Sequence, residues 1–370
     1  MGAYEQIFPQ DKISKRERVE LTLSCESVDR AALHEQLSYN PRVISEYTGK
    51  HFDGYTYGIA EIGVVVQNTL DMSFPIRDPL GTGETTDEDG FVYRLDNWTR
   101  WRAGRPFSDT AGAASWLEKV IGRKETALRE FSPDHAADNY RRDFNAIQMH
   151  IGETVLCGFS KTDFDFVFDS MGLELYSYFS ADHPDFIERF MELSTELEIR
   201  RVAAVADRKL SPVILIPEDF ATKQGPIFSP GFLERFHFPY VKRLTRAWHD
   251  HGYKVLYHSD GNYKKSIPPL IECGVDGFYC LEPNCCMDVV ELKTTWPQIV
   301  WAGGVDGVDL MERGSPGQVR EEVRRHIRET DALANGGMFV ATSSEISPTI
   351  PPENFRAMVD AAGEFRNSQF

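Results

Sequence analysis

The chain has 370 residues, of which 41% are hydrophobic, so its length and composition allow a large buried core. Its formal charge of −17 would repel the phosphates of nucleic acids and anionic membrane surfaces. No basic leader followed by an apolar run opens the sequence, no uncharged run approaches the ~20 residues of a membrane span, and the six cysteines form no CxxC pair. We therefore expect a cytoplasmic protein with reduced thiols that binds neither nucleic acid nor a membrane.

The first part of the chain is predicted to form a helical extension over residues 1–60. Ser14-Lys15-Arg16-Glu17 has the form of a capping box, which marks the start of a helix. Ile62 to Val66 is an apolar run and is the best candidate for the first strand of a barrel. Asn68 and Asp71 follow this run, so they are candidate substrate contacts, with an ordinary turn as the alternative.

A small insertion or lid is predicted over residues 75–105. Gly81 to Gly90 is rich in Gly, Thr, Asp and Glu, which is typical of an exposed turn, and Gly90 to Asp96 alternates like a hairpin strand. Pro106 to Arg129 and Asp134 to His150 are then predicted to be helical and to lead into the second half of the chain.

The second half alternates short apolar runs with long amphipathic segments. Ser229-Pro230 and Ser315-Pro316 each place a capping residue before a proline, which is a typical helix start. Such alternation favours a parallel sheet with helices outside it. Six strands are predicted, at residues 154–158, 212–217, 253–258, 275–280, 299–303 and 337–342.

Eight such units would close a single α/β domain over residues 1–370, a (β/α)8 TIM-type barrel with one or two units hidden in the N-terminal half. A doubly wound sheet is the alternative. The barrel is favoured because polar residues end nearly every predicted strand instead of clustering at one switch point. The sequence has no GxGxxG or GxxxxGK[ST] motif that would indicate a nucleotide site.

His258 and Asp260 give the strongest sequence signal for a site. They lie at and just after the end of the strand predicted at 253–258, and residues i and i+2 of a strand face the same side. We expect both to point into one cavity and to act in catalysis; the alternative is a hydrogen-bonded histidine beside a turn or helix cap. Polar residues after the other predicted strands predict one shared pocket. They are Glu218, Asp219, Glu282, Asp306, Ser343, Ser344 and Glu345.

Within this predicted pocket, Glu218 and Asp306 are expected to join His258 and Asp260 in catalysis. Aromatic rings near the strand ends would suit a flat substrate, with packing in the core as the alternative for each ring. The expected substrate contacts are Asn68, Asp219, Phe220, Tyr257, Tyr279, Ser343 and Ser344.

Several motifs of the second half resemble the uroporphyrinogen decarboxylase superfamily, as an ordered set between about residues 210 and 365. The resemblance implies a (β/α)8 barrel and either a porphyrinogen decarboxylase or a corrinoid-dependent methyltransferase. The motifs are His258-Ser259-Asp260-Gly261-Asn262, Pro268 to Asp276, Leu281-Glu282-Pro283 with Met287-Asp288, Gly303-Gly304-Val305-Asp306, and Pro352 to Met358.

Within this resemblance, the methyltransferase branch is favoured over the decarboxylases. Decarboxylases of the superfamily carry an arginine-rich N-terminal segment, of the Met-Arg-Gln-Ala-Gly-Arg kind, that grips substrate carboxylates. The basic clusters Lys15 to Arg18 and Arg100 to Arg105 do not match that segment. A lyase acting on a carboxylated aromatic or a porphyrin therefore stands as the alternative, and a non-catalytic binding barrel as the third hypothesis.

The resemblance also indicates which residues would bind a metal ion. Thiol-methylating members of the superfamily bind zinc through His-x-Cys and a later cysteine, whereas here the pair reads His258-x-Asp260 and the later position falls near Ser343 or Ser344. Oxygen ligands in place of sulfur give a harder, more Lewis-acidic site, which favours an oxygen-containing substrate. The ligands expected for a zinc ion are His258, Asp260 and Glu282, with Cys280 or Cys285 as an alternative source of sulfur.

The resemblance therefore implies the methyltransferase component of a bacterial O-demethylase. Such an enzyme moves a methyl group from an aryl methyl ether to the Co(I) corrinoid (cobalamin) of a separate protein. Phenolate is a poor leaving group, so a metal ion or a general acid must stabilise the departing oxygen. A corrinoid protein and an aromatic small molecule are the expected partners, and a homodimer stays open.

Overall fold

The computed structural model describes residues 8–370, so the start of the extension predicted at 1–60 lies outside the described residues. Parallel strands form its centre, and smaller antiparallel sheets lie outside them. The strands are β1 (Ala32–Glu35), β2 (Met72–Ser73), β3 (Thr82–Thr86), β4 (Val92–Asp96), β5 (Thr99–Gly104), β6 (Val155–Leu156), β7 (Gly158–Phe159), β8 (Val213–Pro217), β9 (Ala221–Thr222), β10 (Gly225–Pro226), β11 (Lys254–His258), β12 (Gly277–Tyr279), β13 (Val300–Val305) and β14 (Met338–Thr342).

Two short strands on one segment close the central sheet into a barrel. β6 pairs with β2, while β7, which begins after a single intervening residue, pairs with β8. The ring continues through β11, β12, β13, β14 and β1, with every neighbouring pair parallel. With β6 and β7 taken as one strand, the sheet has the eight strands of a TIM-type barrel. This confirms the predicted fold class over the doubly wound alternative.

Helices cover the outside of the ring. They are α1 (Lys15–Leu23), α2 (Pro41–Thr48), α3 (Ile59–Thr69), α4 (Thr110–Arg129), α5 (Pro133–Ile151), α6 (Phe164–Met171), α7 (Leu173–Asp182), α8 (Pro184–Val205), α9 (Pro230–Phe236), α10 (Phe238–His249), α11 (Ile267–Glu272), α12 (Val289–Thr295), α13 (Pro316–Glu329), α14 (Ala332–Asn335) and α15 (Pro352–Glu364). Within residues 8–370, none of these helices has the length and apolar character that crossing a bilayer requires.

Residues of each barrel strand alternate between two hydrophobic layers. In β11, Val255 and Tyr257 pack outward against the helices, whereas Leu256 packs inside the barrel. The same alternation sends His258, the next inward position, to the end of the barrel where the strands terminate. The interior layer includes Ala32, Met72, Phe74, Leu215, Tyr279, Ala302 and Phe339.

The first barrel strand is β1, so the strand predicted at residues 62–66 is wrong. Those residues lie in α3, which begins where the Glu61 side chain accepts the backbone N–H of Gly58. The buried residues of α3 recur at helical spacing, so the apolar run is one face of a helix. These residues are Ile62, Gly63, Val65, Val66 and Thr69. β1 instead lies inside the predicted helical extension, where its four residues are too few for a strand pattern.

The predicted insertion forms an antiparallel sheet of β3, β4 and β5 between β2 and α4. The exposed turn predicted at 81–90 is partly wrong, because β3 pairs with β4 along its whole length. Phe91 anchors this sheet: its ring lies 5.5 Å from the Trp116 ring of α4 in an edge-on contact. The insertion is therefore a folded attachment to the barrel and not an open loop.

Candidate active site

Three side chains that could bind a metal ion meet at the mouth of the barrel. His258 ends β11, Asp260 lies two residues later, and Cys280 directly follows β12. One donor atom from each residue lies within 4.8 Å of the other two, and His258 Nε2 is 3.8 Å from Asp260 Oδ1. The convergence of His258 and Asp260 expected from their spacing is therefore present in the structure. Cys280 is the third member of this group, which we call the His-Asp-Cys cluster.

Asp219, which ends the turn after β8, orients His258. The His258 Nε2 atom is 3.3 Å from Asp219 Oδ1, and the same oxygen accepts the backbone N–H of Asp260 at 2.9 Å. Burial opposes protonation of the imidazole, but the Asp219 carboxylate outweighs it and raises the pKa of His258. Desolvation acts on Asp219 as well, yet its hydrogen bond with His258 lowers the pKa of this carboxyl. The pair can thus store a proton at the mouth of the barrel.

A tight turn places Glu282 beside the cluster. Gly261 has a φ of +78°, and a Cβ atom on it would lie 2.7 Å from the carbonyl oxygen of Thr222 in the β9–β10 hairpin. The backbone N–H of Gly261 donates to Oε2 of Glu282. Glu282, expected from the sequence as a metal ligand, therefore lies at the edge of the His-Asp-Cys cluster.

The acidic groups of the cluster resist ionisation in the absence of a cation. Burial, together with the carboxylates of Asp260 and Glu282, raises the pKa of the Cys280 thiol well above its ordinary value. Desolvation, together with Asp219 and Glu282, raises the pKa of Asp260. A bound cation would offset this repulsion and favour the thiolate and the carboxylate.

The donor set fits a zinc ion. Nitrogen, oxygen and sulfur ligands are all used by zinc, and a tetrahedral site with bonds of ~2.0–2.3 Å holds its ligand atoms roughly 3.3–3.8 Å apart. The donor atoms of His258, Asp260 and Cys280, already within 4.8 Å, need small side-chain rotations to reach that spacing. Three protein ligands would leave a fourth position open, as catalytic zinc sites do.

Aromatic rings pack next to the cluster. The Tyr279 ring lies 5.5 Å from the His258 ring and 5.1 Å from the Phe74 ring. Phe159 contacts Phe74 at 5.3 Å and is 42% exposed, so this group of rings extends to the solvent-facing surface. The Tyr279 hydroxyl donates to the carbonyl oxygen of Ser344 at 3.0 Å, which fixes the ring. This apolar wall suits a flat aromatic molecule.

Phe220 and Tyr257 lie outside the barrel interior, so the expectation that they contact a substrate is wrong. Both are fully buried in the layer between the barrel and the helices. The Tyr257 Oη atom is 2.7 Å from Nε2 of His237, and the Phe220 ring packs on both of these residues. The strand alternation that turns His258 inward turns Tyr257 outward.

Glu218 binds the loop that follows β7 and the first turn of α6. Its Oε1 atom accepts the backbone N–H of Thr162 at 2.7 Å and the Thr162 hydroxyl at 2.8 Å, and Oε2 accepts the backbone N–H of Asp165 at 3.1 Å. Burial, followed by the charge of Asp165, raises the pKa of Glu218 well above its ordinary value. These contacts give Glu218 a structural task, and they do not support the catalytic role expected from the sequence.

The remaining polar residues at the strand ends make local contacts. Asp306 accepts the backbone N–H of Val308 at 2.9 Å and caps the turn after β13. Ser343 accepts the backbone N–H of Gly307 at 3.0 Å, and the Ser344 hydroxyl donates to the neighbouring Glu345 carboxylate at 2.6 Å. Local capping, the alternative to a direct role in the site, accounts for these contacts.

Asn68 and Asp71 do not reach the mouth of the barrel, so their expected substrate contacts are wrong. Asn68 lies on α3 and donates to the carbonyl oxygen of Val64 at 2.6 Å within the same helix. Asp71 precedes β2 and is buried against Arg18 and Arg30 at the opposite end of the barrel. Both expectations depended on a strand at 62–66, which is a helix.

The sequence reasoning missed Phe74 and Phe159, whose rings form much of the aromatic wall. Phe74 follows β2 and Phe159 lies in β7, and each of these strands has two residues, which is too short for an alternating pattern. A signal for Phe159 does exist, because Val155, Cys157 and Phe159 occupy alternate positions of the segment that closes the barrel. Two of these, Val155 and Cys157, belong to the interior layer.

Residues 143–365 match the uroporphyrinogen decarboxylase (URO-D) family. A methyltransferase from Methanosarcina mazei has a similar structure, with a TM-score of 0.65 and 16% identity over 96% of this chain and 99% of that one. At this identity the likeness shows the fold. A B12-independent methionine synthase from Shewanella sp. W3-18-1, in complex with selenomethionine, is more distant, with a TM-score of 0.37 and 11% identity over 92% and 95% of the two chains. The sequence has no significant match among curated proteins.

The family match covers more than half of the chain and runs from the second half of α5 to the residue after α15. It contains β11 and β12, which carry the His-Asp-Cys cluster, and the turn that holds Glu282. The barrel closure and the position of the cluster at the ends of the strands agree with this match. The protein is a member of the uroporphyrinogen decarboxylase family.

Proposed function

We propose that this protein is a methyltransferase that moves the methyl group of an aryl methyl ether to the Co(I) corrinoid of a separate protein. The observation that carries the proposal is the His-Asp-Cys cluster, with one donor atom of each residue within 4.8 Å of the others, beside the Tyr279 ring. The structurally similar protein from Methanosarcina mazei is itself a methyltransferase, which supports this class of reaction on this fold.

The surroundings of the cluster support a reaction between an aromatic substrate and a partner protein. The rings of Phe74, Phe159 and Tyr279 make the neighbourhood of His258 apolar, and the Phe159 ring is partly exposed to solvent. The side chains of Asp219 and Asp260 are 55% and 62% exposed, so the cluster is open to solvent on its outer side. A corrinoid carried by a partner protein would approach from that open side.

In the proposed reaction, Co(I) attacks the methyl carbon and a cobalt–carbon bond forms. The methyl–oxygen bond breaks, and its electron pair stays on the phenolic oxygen. His258, whose proton Asp219 stabilises, is positioned to protonate this oxygen as a general acid. A zinc ion held by His258, Asp260 and Cys280 would supply Lewis-acid stabilisation of the same oxygen in place of that proton.

A decarboxylase-like lyase is the second candidate function, and the charges at the mouth argue against it. A substrate with several carboxylates needs cationic groups to bind, whereas Asp219, Asp260 and Glu282 gather around His258. Two buried arginines of the N-terminal part are paired with carboxylates at the opposite end of the barrel. Like-charge repulsion therefore opposes a polycarboxylate at this mouth.

The reaction can be tested with guaiacol (2-methoxyphenol) and reduced cobalamin as the methyl acceptor. We expect catechol and methylcobalamin to form in equal amounts, followed by chromatography and by the visible spectrum of the corrinoid. Turnover should disappear in His258→Ala. Release of carbon dioxide from a porphyrin or aromatic acid, with no methyl transfer, would instead establish the lyase.

The metal site can be tested separately by measuring the zinc content of the purified protein. We expect about one zinc per chain in the wild type and its loss in Asp260→Ala and Cys280→Ser. Cys273→Ser is the matched control, because Cys273 is also buried but donates to the carbonyl oxygen of Phe238 behind the barrel wall. Equal zinc contents in all four proteins would rule out the cluster as the metal site.

A further inference from the structure

Cys25 and Lys293 form a thiol–amine pair at the end of the barrel opposite the candidate active site. Cys25 lies between α1 and β1, and Lys293 lies in the last turn of α12, before β13, so both are near the amino ends of the strands. The Lys293 Nζ atom donates to Cys25 Sγ at 3.7 Å and to the carbonyl oxygen of Pro297 at 2.7 Å. The proposed methyl transfer uses neither residue.

The pair is accessible to small solutes. Both residues line a surface cavity of about 420 Å³, together with Gln298, Thr330 and Asp331. Four of the six cysteines are buried, whereas Cys25 is partly exposed and Cys286 is exposed. Reactive cysteines are typically partly exposed and lie beside a cation, whereas buried structural cysteines are inert. Cys25 has both properties of a reactive thiol.

Gly337, which directly precedes β14, allows the two groups to meet. A Cβ atom on this residue would lie 2.6 Å from Cys25 Sγ and closer still to Lys293 Nζ, so a side chain here would take the space of both atoms. Gly337 has a φ of +67°, and its backbone N–H donates to the carbonyl oxygen of Thr22 at 2.9 Å. The end of α1 is thereby fixed against the glycine, with the sulfur and the nitrogen over its bare Cα.

The surroundings of Lys293 favour a nucleophilic amine. The residue is only 4% exposed, and no carboxylate of the described chain pairs with its Nζ atom. Burial lowers the pKa of Lys293, although the Cys25 sulfur opposes the shift. Only the neutral amine has a free lone pair, so a larger share of Lys293 than of an exposed lysine can attack an electrophile.

We infer that Cys25 and Lys293 are a site of oxidative modification, at which hydrogen peroxide links Sγ to Nζ through a covalent sulfur–nitrogen bond. The sulfur first attacks the peroxide: an S–O bond forms, the O–O bond breaks, and the departing oxygen takes the thiol proton and leaves as water. The amine then attacks the sulfur of this sulfenic acid. An N–S bond forms, the S–O bond breaks, and the leaving hydroxide takes an amine proton. One thiol, one amine and one peroxide thus give a sulfenamide and two waters.

The bond would join two distant parts of the chain. Cys25 and Lys293 are 268 residues apart in the sequence, and their side chains need only a short movement from 3.7 Å to react. A cross-link that closes a long loop restricts the unfolded chain and so stabilises the folded protein. Oxidation at this site should therefore raise the melting temperature.

The test treats the purified, reduced protein with hydrogen peroxide, blocks the remaining thiols, and maps the digested chain by tandem mass spectrometry. We expect a linked pair of peptides that joins Cys25 to Lys293 and is lighter than the two separate peptides by two hydrogen atoms. The link should reverse with dithiothreitol, because a thiol attacks the sulfur of the S–N bond. It should not form in Cys25→Ser, or in protein that is unfolded in urea before the treatment.

Lys293→Arg keeps the positive charge but removes the reactive amine. In this variant Cys25 should stop at the sulfenic acid, which dimedone traps. Cys286 is the matched control within the wild type, because it is exposed and, within the described chain, accepts no hydrogen bond from a lysine. It should bind dimedone without forming a link to a lysine. Cys25→Ser changes one atom of a partly exposed residue, so it keeps the test valid where Lys293→Arg does not fold.

Wild-type Cys25 that stays unoxidised, or that is oxidised without a link to Lys293, would overturn the inference. A linked pair that retains one oxygen atom would contradict the direct sulfur–nitrogen bond. The melting temperature is the second measurement: peroxide should raise it in the wild type and not in Cys25→Ser. An equal change in both proteins would contradict the stabilising effect of the bond.

Discussion

Arg30 holds both carboxylate oxygens of Asp71: its Nη1 and Nη2 atoms lie 2.7 Å and 2.9 Å from Oδ2 and Oδ1. Arg18 adds a third contact to Oδ1 at 2.9 Å, and the backbone N–H of Leu33 donates to Oδ2 at 2.8 Å. All three charged side chains are buried. The network ties α1 and β1 to the start of β2, at the end of the barrel opposite the candidate active site.

Asp71→Asn should destabilise the protein, because Arg18 and Arg30 lose the carboxylate that they share, although Asp29 and Asp11 still pair with them. Losing buried hydrogen bonds to a charged group costs about 1.5–3 kcal/mol of the free energy of unfolding. The measurement is urea denaturation followed by circular dichroism. Asp143→Asn is the control, since the Arg142–Asp143 pair is exposed on both sides and should leave the midpoint unchanged. Equal midpoints for the two variants would contradict the assigned role of Asp71.

His237 should make the protein less stable as the pH falls below about 6.5. Desolvation lowers the pKa of folded His237 to about 3, from an ordinary value of 6.5. Between these values the unfolded chain binds a proton that the folded chain does not, so stability is complete above pH 6.5 and declines toward pH 3. In His237→Gln, the free energy of unfolding should fall less steeply with pH than in the wild type. The two slopes should differ by about 1.4 kcal/mol per pH unit. The measurement is the free energy of unfolding of the wild type and of His237→Gln between pH 4 and 8. Equal pH dependence in the two proteins would contradict the prediction and would mean that His237 is accessible to protons in the folded state.

Glu218 should tolerate an uncharged replacement. Burial and the charge of Asp165 raise the pKa of Glu218 well above its ordinary value, which disfavours the charged form, and glutamine is an uncharged side chain of the same shape that keeps an oxygen acceptor for Thr162. Glu218→Gln should therefore keep most of the stability and the turnover. Glu218→Ala should lose about 1–3 kcal/mol of stability, because the donors on Thr162 and Asp165 lose their partner. A Glu218→Gln protein that is folded but has no turnover would contradict this prediction and would support a catalytic role for Glu218.

Gly261→Ala should disturb the candidate site through the backbone. The positive φ and the close approach to the Thr222 carbonyl oxygen both disfavour a side chain here, at a cost of about 1–3 kcal/mol. Because Gly261 follows Asp260 and binds Glu282, zinc content should fall together with stability. Gly231→Ala is the control, since no atom lies within 4 Å of the added methyl group. A normal zinc content in Gly261→Ala would show that the turn does not position the site.

The second half of the barrel was predictable because its strands are apolar runs separated by well-marked helix starts. The six strands predicted there are confirmed by β6 with β7, β8, β11, β12, β13 and β14. The shared direction of His258 and Asp260 was also predictable, because it depends only on the two-residue period of an extended chain. The same period applied to Tyr257 would have excluded that residue from the cavity.

Other parts of the site depend on contacts that a single sequence does not record. Cys280 joins His258 because β12 lies beside β11 in the barrel, with His258 paired to Tyr279. Strands β1 and β2 have four and two residues, so neither shows a period, and Phe74 could not be placed inside the barrel. Helix α3 is rich in the β-branched residues that are typical of strands, so the first strand was predicted at the wrong segment.

The closure of the barrel by β6 and β7 leaves its strands without free edges, whereas the sheet of β3, β4 and β5 has two. Every residue of β3 is exposed, and unpaired backbone groups on an exposed outer strand are a template on which another chain can add. At high protein concentration, aggregation should therefore begin at the insertion and spare the barrel. A proline at a solvent-facing position of β3 would block such growth and keep the enzyme in solution.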